Sequence, residues 1–235
     1  MIRLIGFDAD DTLWHNEVVY REAKEALGQL LARFADPLQT HEHLDRNEVR
    51  NVGVYGYGIK SFTFSMLETA VELSRGGLTS ADIEAILGLG RAMLQRDVEP
   101  IAHVGETLAA LAAVTPLALL TKGDLAEQTR KISRSGWAEL FRHVQVVADK
   151  TLSVYRDFLA QANVSPADFL MVGNSLRSDI LPVLELGGHA AYIPHPLTWG
   201  HESAAMPPAD NSRFHVLSDI RDVVPLVASL TSRSP

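Results

Sequence analysis

The sequence predicts an α/β fold, in which a parallel sheet carries helices on both faces and an all-helical domain is inserted into the chain. Short apolar runs alternate with helix-period segments after residue 115, the pattern of a parallel sheet covered by helices. A further apolar run stands at the N-terminus. The residues between it and the alternating part contain helical patterns and no convincing buried strand, which indicates an insertion.

Five short apolar runs are predicted as buried strands because each is continuous in apolar character and ends at polar residues. They cover residues 3–8, 116–121, 143–148, 168–173 and 189–194. Helical periodicity between them predicts helices over residues 105–114, 124–136, 154–163 and 178–188. Residues 215–231 are expected to form a closing helix.

The segment before the second strand reads as three amphipathic helices, over residues 21–34, 59–74 and 79–95, the third capped by Thr79 or Ser80. We therefore expect a core of residues 1–14 and 100–235 and a helical domain of residues 15–99.

The stretch "GVYGYGIK", residues 53–60, lacks the glycine spacing of a dinucleotide-binding loop, and no strand precedes it. It is interpreted either as a connection between two helices or as a loop that contacts substrate through Tyr55, Tyr57 and Lys60.

Composition excludes several classes of function. The 235 residues contain no cysteine, which excludes disulfides, thiolate metal sites and a cysteine nucleophile. The formal net charge of −8, without any basic block, argues against nucleic-acid binding. No apolar run has membrane-spanning length, and the N-terminus lacks a signal-peptide pattern, so a cytoplasmic location is expected.

Polar side chains follow four of the predicted strands, where ligands bind in an open parallel sheet. Carboxylate oxygens suit Mg²⁺, whereas lysine and hydroxyl groups suit phosphoryl oxygens. The set could therefore hold a magnesium ion and a phosphate together. Its members, in strand order, are Asp8, Asp10 and Thr12; Thr121 and Lys122; Asp149 and Lys150; and Gly173, Asn174, Ser175 and Asp179.

These motifs resemble those of the haloacid dehalogenase (HAD) superfamily of phosphohydrolases. The matching stretches are "DADDT" (8–12), "LLT" (119–121), Lys150 and "VGNSLRSD" (172–179). The helical insertion is similar to the alpha-helical C1 cap of subfamily I. The resemblance implies a Rossmann-like core, a helical cap and a divalent metal cofactor, Mg²⁺.

The resemblance also implies a role for each matching residue. Asp8 would attack the substrate phosphorus and form an aspartyl phosphate. Asp10 would protonate the leaving alkoxide and then activate water. Thr121 would bind phosphoryl oxygens, and Lys150 would neutralise charge beside Asp8. Asp179 would hold Mg²⁺ together with the Asp8 carboxylate and the Asp10 backbone carbonyl.

The roles of four further polar residues are less closely defined by the sequence. Many family members carry Asp where this chain has Asn174, which could hold metal-bound water or substrate but lacks a negative charge. Lys122 is expected to face solvent or contact substrate rather than take part in the chemistry. Asp11 is expected to form hydrogen bonds or cap a turn, and His195 to line the entrance to the site or to be an ordinary loop residue.

The predicted function is Mg²⁺-dependent hydrolysis of a small phosphorylated metabolite, with no nucleic-acid or membrane partner. A rival interpretation is a 2-haloacid dehalogenase, against which Asp10 argues because dehalogenases of this superfamily lack the second Asp. The sequence is also compatible with a phosphomutase and with a non-catalytic binding protein on the same fold.

Overall fold

The structure is a computed structural model that describes residues 1–232. Over these residues the chain forms two compact units. The larger unit comprises residues 1–15, 98–122 and 128 onward, and the smaller comprises residues 16–97 and 123–127. Among the described residues, no helix combines the length and the apolar character that crossing a bilayer requires.

The larger unit is built on a parallel sheet, which confirms the predicted α/β fold. Within residues 1–232 the sheet has six strands in the order β3-β2-β1-β4-β5-β6. The strands are β1 (Leu4–Phe7), β2 (Leu117–Lys122), β3 (Phe141–Val147), β4 (Phe169–Gly173), β5 (His189–Tyr192) and β6 (Phe214–Val216). The strand β6 was not predicted, and it includes the first residues of the expected closing helix.

Helices cover both faces of this sheet. Alternation along β1 sends Ile5 and Phe7 into one hydrophobic cluster and Leu4 into the other, as expected of a strand buried on both faces. The helices are α5 (Val104–Ala112), α6 (Leu125–Arg134), α7 (Leu152–Ala162), α8 (Leu181–Glu185) and α9 (Val223–Ser232). A π-helical segment, Leu176–Ile180, precedes α8.

The smaller unit is helical. Residues 16–97 form α1 (Glu17–Leu30), α2 (Pro37–Tyr55), α3 (Ile59–Ser74) and α4 (Ser80–Gln95), so the chain has one helix more here than predicted. Thr79 is the N-cap of α4, and its hydroxyl accepts a hydrogen bond from the N–H of Asp82. Residues 53–60 contain the end of α2 and the start of α3, so they join two helices.

Residues 123–127 pack with this helical unit rather than with the sheet. The Glu127 carboxylate accepts a hydrogen bond of 2.9 Å from the N–H of Ile59, and Lys60 forms an ion pair of 2.8 Å with Asp124. Both contacts lie at the start of α3, where helix N–H groups lack partners within the helix. The Glu127 carboxylate therefore satisfies one of these N–H groups, and the ion pair adds a side-chain contact beside it.

Candidate active site

Three charged side chains come together in the larger unit, from the end of β1, the loop after β3 and the π-helical segment after β4. The Lys150 ammonium lies 2.5 Å from Asp8 Oδ1 and 2.7 Å from Asp179 Oδ1. All three side chains are buried. This edge of the sheet therefore brings together residues that are up to 171 positions apart in the sequence, from Asp8 to Asp179.

This group contains two carboxylates and only one ammonium, so its acidic groups outnumber its basic one. Burial raises the pKa of Asp8 to about 7; Lys150 opposes the rise, and the Asp179 carboxylate adds to it. Burial alone would lower the pKa of Lys150, but the charges of Asp179 and Asp8 raise it, so the ammonium stays protonated. One lysine faces two buried carboxylates, and a further cation would stabilise their ionised forms.

The turn after β4 fixes Asp179. Its Oδ2 accepts a hydrogen bond of 3.0 Å from the N–H of Ser175. Its carboxylate also lies over the backbone of Gly173, where an added Cβ would stand 2.3 Å from Oδ2. No side chain fits between them, so the sequence requires glycine at this position.

Thr12 connects the residues that follow β1 with those that follow β4. Its hydroxyl lies 3.0 Å from Asp8 Oδ2, to which it can donate, and 3.4 Å from Asn174 Oδ1. Asn174 is buried, so its amide oxygen lies inside the protein, within reach of the same hydroxyl that contacts the Asp8 carboxylate. The structure thus places Asn174 near Asp8, as the motif spacing indicated.

Asp10 has its own set of hydrogen-bond donors, which the sequence did not reveal. Trp14 Nε1 donates to Oδ1 at 2.7 Å, and Gln128 Nε2 donates to Oδ2 at 2.8 Å. Lys131 Nζ lies 3.0 Å from Oδ1 and 3.1 Å from Oδ2. Gln128 also accepts a hydrogen bond of 3.4 Å from the Thr121 hydroxyl, which connects Thr121 to Asp10.

A sequence signal for two of these donors did exist. Gln128 and Lys131 are three residues apart on α6, so they share one face of that helix. The helix follows β2, which carries Thr121. A polar face on the first helix after a motif-bearing strand therefore marks residues that can reach the site.

One expectation was that Lys122 faces solvent, and the structure places it elsewhere. It forms an ion pair with Glu202, and its ammonium lies 2.9 Å from the Ser178 hydroxyl. Glu202 accepts further hydrogen bonds from Ser175 at 2.7 Å and Ser178 at 2.6 Å. Burial opposes ionisation of Glu202, but Lys122 and the hydroxyl donors lower its pKa to about 2.

The predicted substrate residues Tyr55, Tyr57 and Lys60 lie in the helical unit. Tyr55 ends α2, is 50% exposed, and packs against the ring of Phe64 with centroids 5.0 Å apart. The Lys60 ammonium is paired with Asp124. Their contact with a substrate stays a prediction.

The buried carboxylates fit a divalent metal ion. Asp8 and Asp179 supply oxygen donors, Asn174 Oδ1 lies nearby, and the backbone carbonyl of Asp10 follows in the same turn. Hard oxygen ligands of this kind suit Mg²⁺. Burial raises the pKa of Asp8, and a cation bound beside its carboxylate would oppose that rise.

The chain is similar to known proteins over most of its length. Residues 2–187 match the haloacid dehalogenase-like hydrolase family. A haloacid dehalogenase-like family hydrolase from Xanthomonas campestris has a solved structure that is 39% identical, with a TM-score of 0.88 and coverage of 99% of this chain and 93% of that one. No curated protein matches the chain.

More distant structures share the fold but differ in their named activities. A 2-haloacid dehalogenase from Pseudomonas syringae pv. Tomato DC3000 is 20% identical with a TM-score of 0.64, covering 97% of this chain and 99% of that one. A predicted phosphoglycolate phosphatase from Haemophilus somnus 129pt is 17% identical with a TM-score of 0.62, covering 96% and 98%. The fold alone thus selects neither activity. The family match over most of its length and the 39% identical relative show that the chain belongs to the haloacid dehalogenase-like hydrolases.

Proposed function

We propose that this hydrolase is a Mg²⁺-dependent phosphatase that cleaves a small phosphate monoester through an aspartyl phosphate on Asp8. The observation that carries the proposal is the presence of two separately held carboxylates in one turn. Asp8 lies with Lys150 and Asp179, whereas Asp10 lies among Trp14, Gln128 and Lys131. Dehalogenation requires no acid for an alkoxide, so it gives no role to the second carboxylate.

The first chemical step uses Asp8. One carboxylate oxygen attacks the phosphorus, the bond from phosphorus to the ester oxygen breaks, and Asp10 transfers its proton to the departing alkoxide. Lys150 is placed to offset the charge between Asp8 and the incoming phosphate. Thr121, at the end of β2, is the candidate donor to the phosphoryl oxygens.

The second step regenerates the enzyme. Asp10 accepts a proton from water, the water oxygen attacks the phosphorus of the aspartyl phosphate, and the bond to the Asp8 oxygen breaks. Inorganic phosphate leaves, and Asp10 is again protonated. Gln128 and Lys131 contact the Asp10 carboxylate from α6, so they would keep it oriented through both steps.

Mg²⁺, held by Asp8, Asp179, Asn174 and the Asp10 carbonyl, would supply charge stabilisation for the phosphoryl group. Asn174 in place of a carboxylate lowers the negative charge of this ligand set by one. We therefore expect weaker Mg²⁺ binding than in an Asn174→Asp variant.

The substrate class is proposed from the presence of the helical unit, which favours a small molecule over a phosphoprotein. Tyr55, Tyr57 and Lys60 are the candidate contacts of that unit with the organic part of the substrate. A small phosphorylated metabolite, such as a sugar phosphate or nucleotide, suits a family in which an inserted helical domain restricts access. The proposed location of this activity is the cytoplasm.

The test is phosphate release from p-nitrophenyl phosphate and from a panel of phosphorylated metabolites. Wild type, Asp8→Asn and Asp10→Ala are compared, each with Mg²⁺ and with EDTA. Release that requires Mg²⁺ and falls by more than about 10³-fold in Asp8→Asn would support the proposal. An Asp8→Asn variant as active as wild type would overturn the aspartyl-phosphate route.

The same preparations distinguish the rival functions. Chloride release from 2-chloropropionate without phosphate release would favour a dehalogenase. Transfer of phosphate between two positions of one compound, with no free phosphate, would favour a phosphomutase. Failure of every compound to react with the folded wild type would favour a binding role.

A further inference from the structure

A second group of metal-ligating side chains lies in the larger unit. It comprises Asp11, His15 and His195, whose donor atoms all lie within 4.8 Å of one another. None of the three has a role in the phosphatase chemistry above. We propose that they form a binding site for a transition-metal ion such as Zn²⁺.

The turn after β1 holds two of the ligands side by side. Asp10 and Trp14 form a parallel β-bridge, and the N–H of Asp11 donates to the Trp14 carbonyl at 2.7 Å. The N–H of His15 donates to the carbonyl of Glu99 at 2.9 Å. Asp11 has φ of 59°, a left-handed conformation that is uncommon outside glycine. The backbone thus fixes both residues before any ion binds.

The third ligand comes from the loop after β5. The His195 carbonyl accepts hydrogen bonds from the N–H of Thr198 at 3.2 Å and from its hydroxyl at 2.9 Å. The ring nitrogen Nε2 lies 3.7 Å from Asp11 Oδ1, which is too far for a hydrogen bond. Two ligands that each lie ~2 Å from one zinc ion are roughly 3–4 Å apart, so this spacing suits a shared ion.

The remaining geometry also favours binding. The His15 and His195 rings are 6.2 Å apart between centroids and inclined at 51°. The side chains of Asp11 and His195 are 4% and 12% exposed, so they are already largely desolvated. A metal on Nε2 requires the ring proton on Nδ1, which would end a hydrogen bond from Leu197 N–H. That bond is long, at 3.4 Å, so its loss costs little.

The ligand types separate this site from the Mg²⁺ site. Two imidazoles and one carboxylate favour Zn²⁺, Co²⁺ or Ni²⁺, whereas the oxygen donors around Asp8 and Asp179 favour Mg²⁺. Three protein ligands leave further coordination positions for water. An ion here would tie the loop after β5 to the turn that carries Asp10.

The test measures binding to the full chain in excess Mg²⁺, which occupies the oxygen site. Co²⁺ binding is followed by visible absorption, and Zn²⁺ binding by the rise in melting temperature. Wild type and Asp179→Asn are expected to bind both ions. The double variant His15→Gln/His195→Gln is expected to lose more than about 10-fold in affinity.

A matched control is His43→Gln, which changes a histidine of α2 and is expected to bind as wild type does. Melting in EDTA shows whether each variant is folded, and the single variant His15→Gln replaces the double one if the latter is not. The proposal is overturned by absence of binding to wild type, by equal binding to the folded histidine variants, or by loss of binding in Asp179→Asn.

Discussion

The Asp179 carboxylate rests on the backbone of Gly173, so closely that a methyl group on that glycine would stand 2.3 Å from Oδ2. Gly173→Ala is therefore expected to displace Asp179 and to lose more than about 10² in Mg²⁺-dependent activity, with a loss of about 1–3 kcal/mol in stability. Initial rates over a range of Mg²⁺ concentrations, together with urea unfolding, test this.

The matched control is Gly53→Ala on α2, where an added Cβ meets nothing within 4 Å. It is expected to keep full activity and to gain about 0.5–1 kcal/mol in stability. Equal Mg²⁺ dependence in Gly173→Ala and wild type would show that Asp179 tolerates the methyl group.

Lys150 is expected to stabilise the folded protein by offsetting the charges of the Asp8 and Asp179 carboxylates. Lys150→Met leaves two buried carboxylates facing each other, so in EDTA it is expected to cost about 3–5 kcal/mol in unfolding free energy. Asp8→Asn instead removes a group whose buried ionised form is unfavourable, since its pKa is raised to about 7. At pH 8 that variant should melt no lower than wild type. A melting temperature of Lys150→Met equal to wild type would contradict this account.

Lys131 is predicted to be a positioning residue that acts through Asp10. Lys131→Met is expected to lower kcat about 10-fold and to leave KM nearly unchanged, because the ammonium contacts both oxygens of Asp10. Lys131→Arg should restore part of the rate. Arg134→Met, on the exposed end of α6, serves as the control. A change confined to KM would instead make Lys131 a substrate contact.

Glu202 is predicted to hold the turn that carries Asp179. Glu202→Gln is expected to cost about 1–3 kcal/mol, since Lys122 loses its charged partner and two serine hydroxyls lose an ionised acceptor. Activity should fall with it, measured at saturating Mg²⁺. The exposed Glu139→Gln is the control, and equal stability of the two variants would refute the prediction.

His189 is expected to make the protein less stable in acid. Burial first, and then the charge of Arg213, lowers its pKa from 6.5 to about 4. The unfolded chain therefore binds the proton more readily, and stability is lost as the pH falls from about 6.5 to about 4. Melting temperature over this window should fall less in His189→Leu than in wild type. A parallel fall in both would exclude His189 as the cause.

The sequence predicts the sheet and the charged centre because both follow from local signals. A buried strand is a short apolar run, and its end is where polar residues begin, so Asp8, Thr121, Lys150 and Asp179 could be named. The strand β6 gives no such signal. It has three residues, none of them buried.

The helix α2 was not predicted because its inward face is largely polar. Its buried residues are Thr40, Leu44, Asn47 and Asn51, which do not form an apolar stripe of helical period. Glu202 was not predicted either, because its partners Lys122, Ser175 and Ser178 come from distant parts of the chain. Gln128 and Lys131 were missed although they share one polar face of α6.

The polar face of α2 has a consequence for how the helical unit aligns. Asn47 donates to Thr69 at 3.0 Å, and Asn51 donates to Ser65 at 3.0 Å, across the contact with α3. Sliding one helix by a turn, about 5.4 Å, would bury these amides without acceptors. A purely apolar contact would tolerate several alignments. The two asparagines therefore favour one alignment of α2 with α3. They do so at the expense of the apolar surface that hydrophobic residues would bury at these positions.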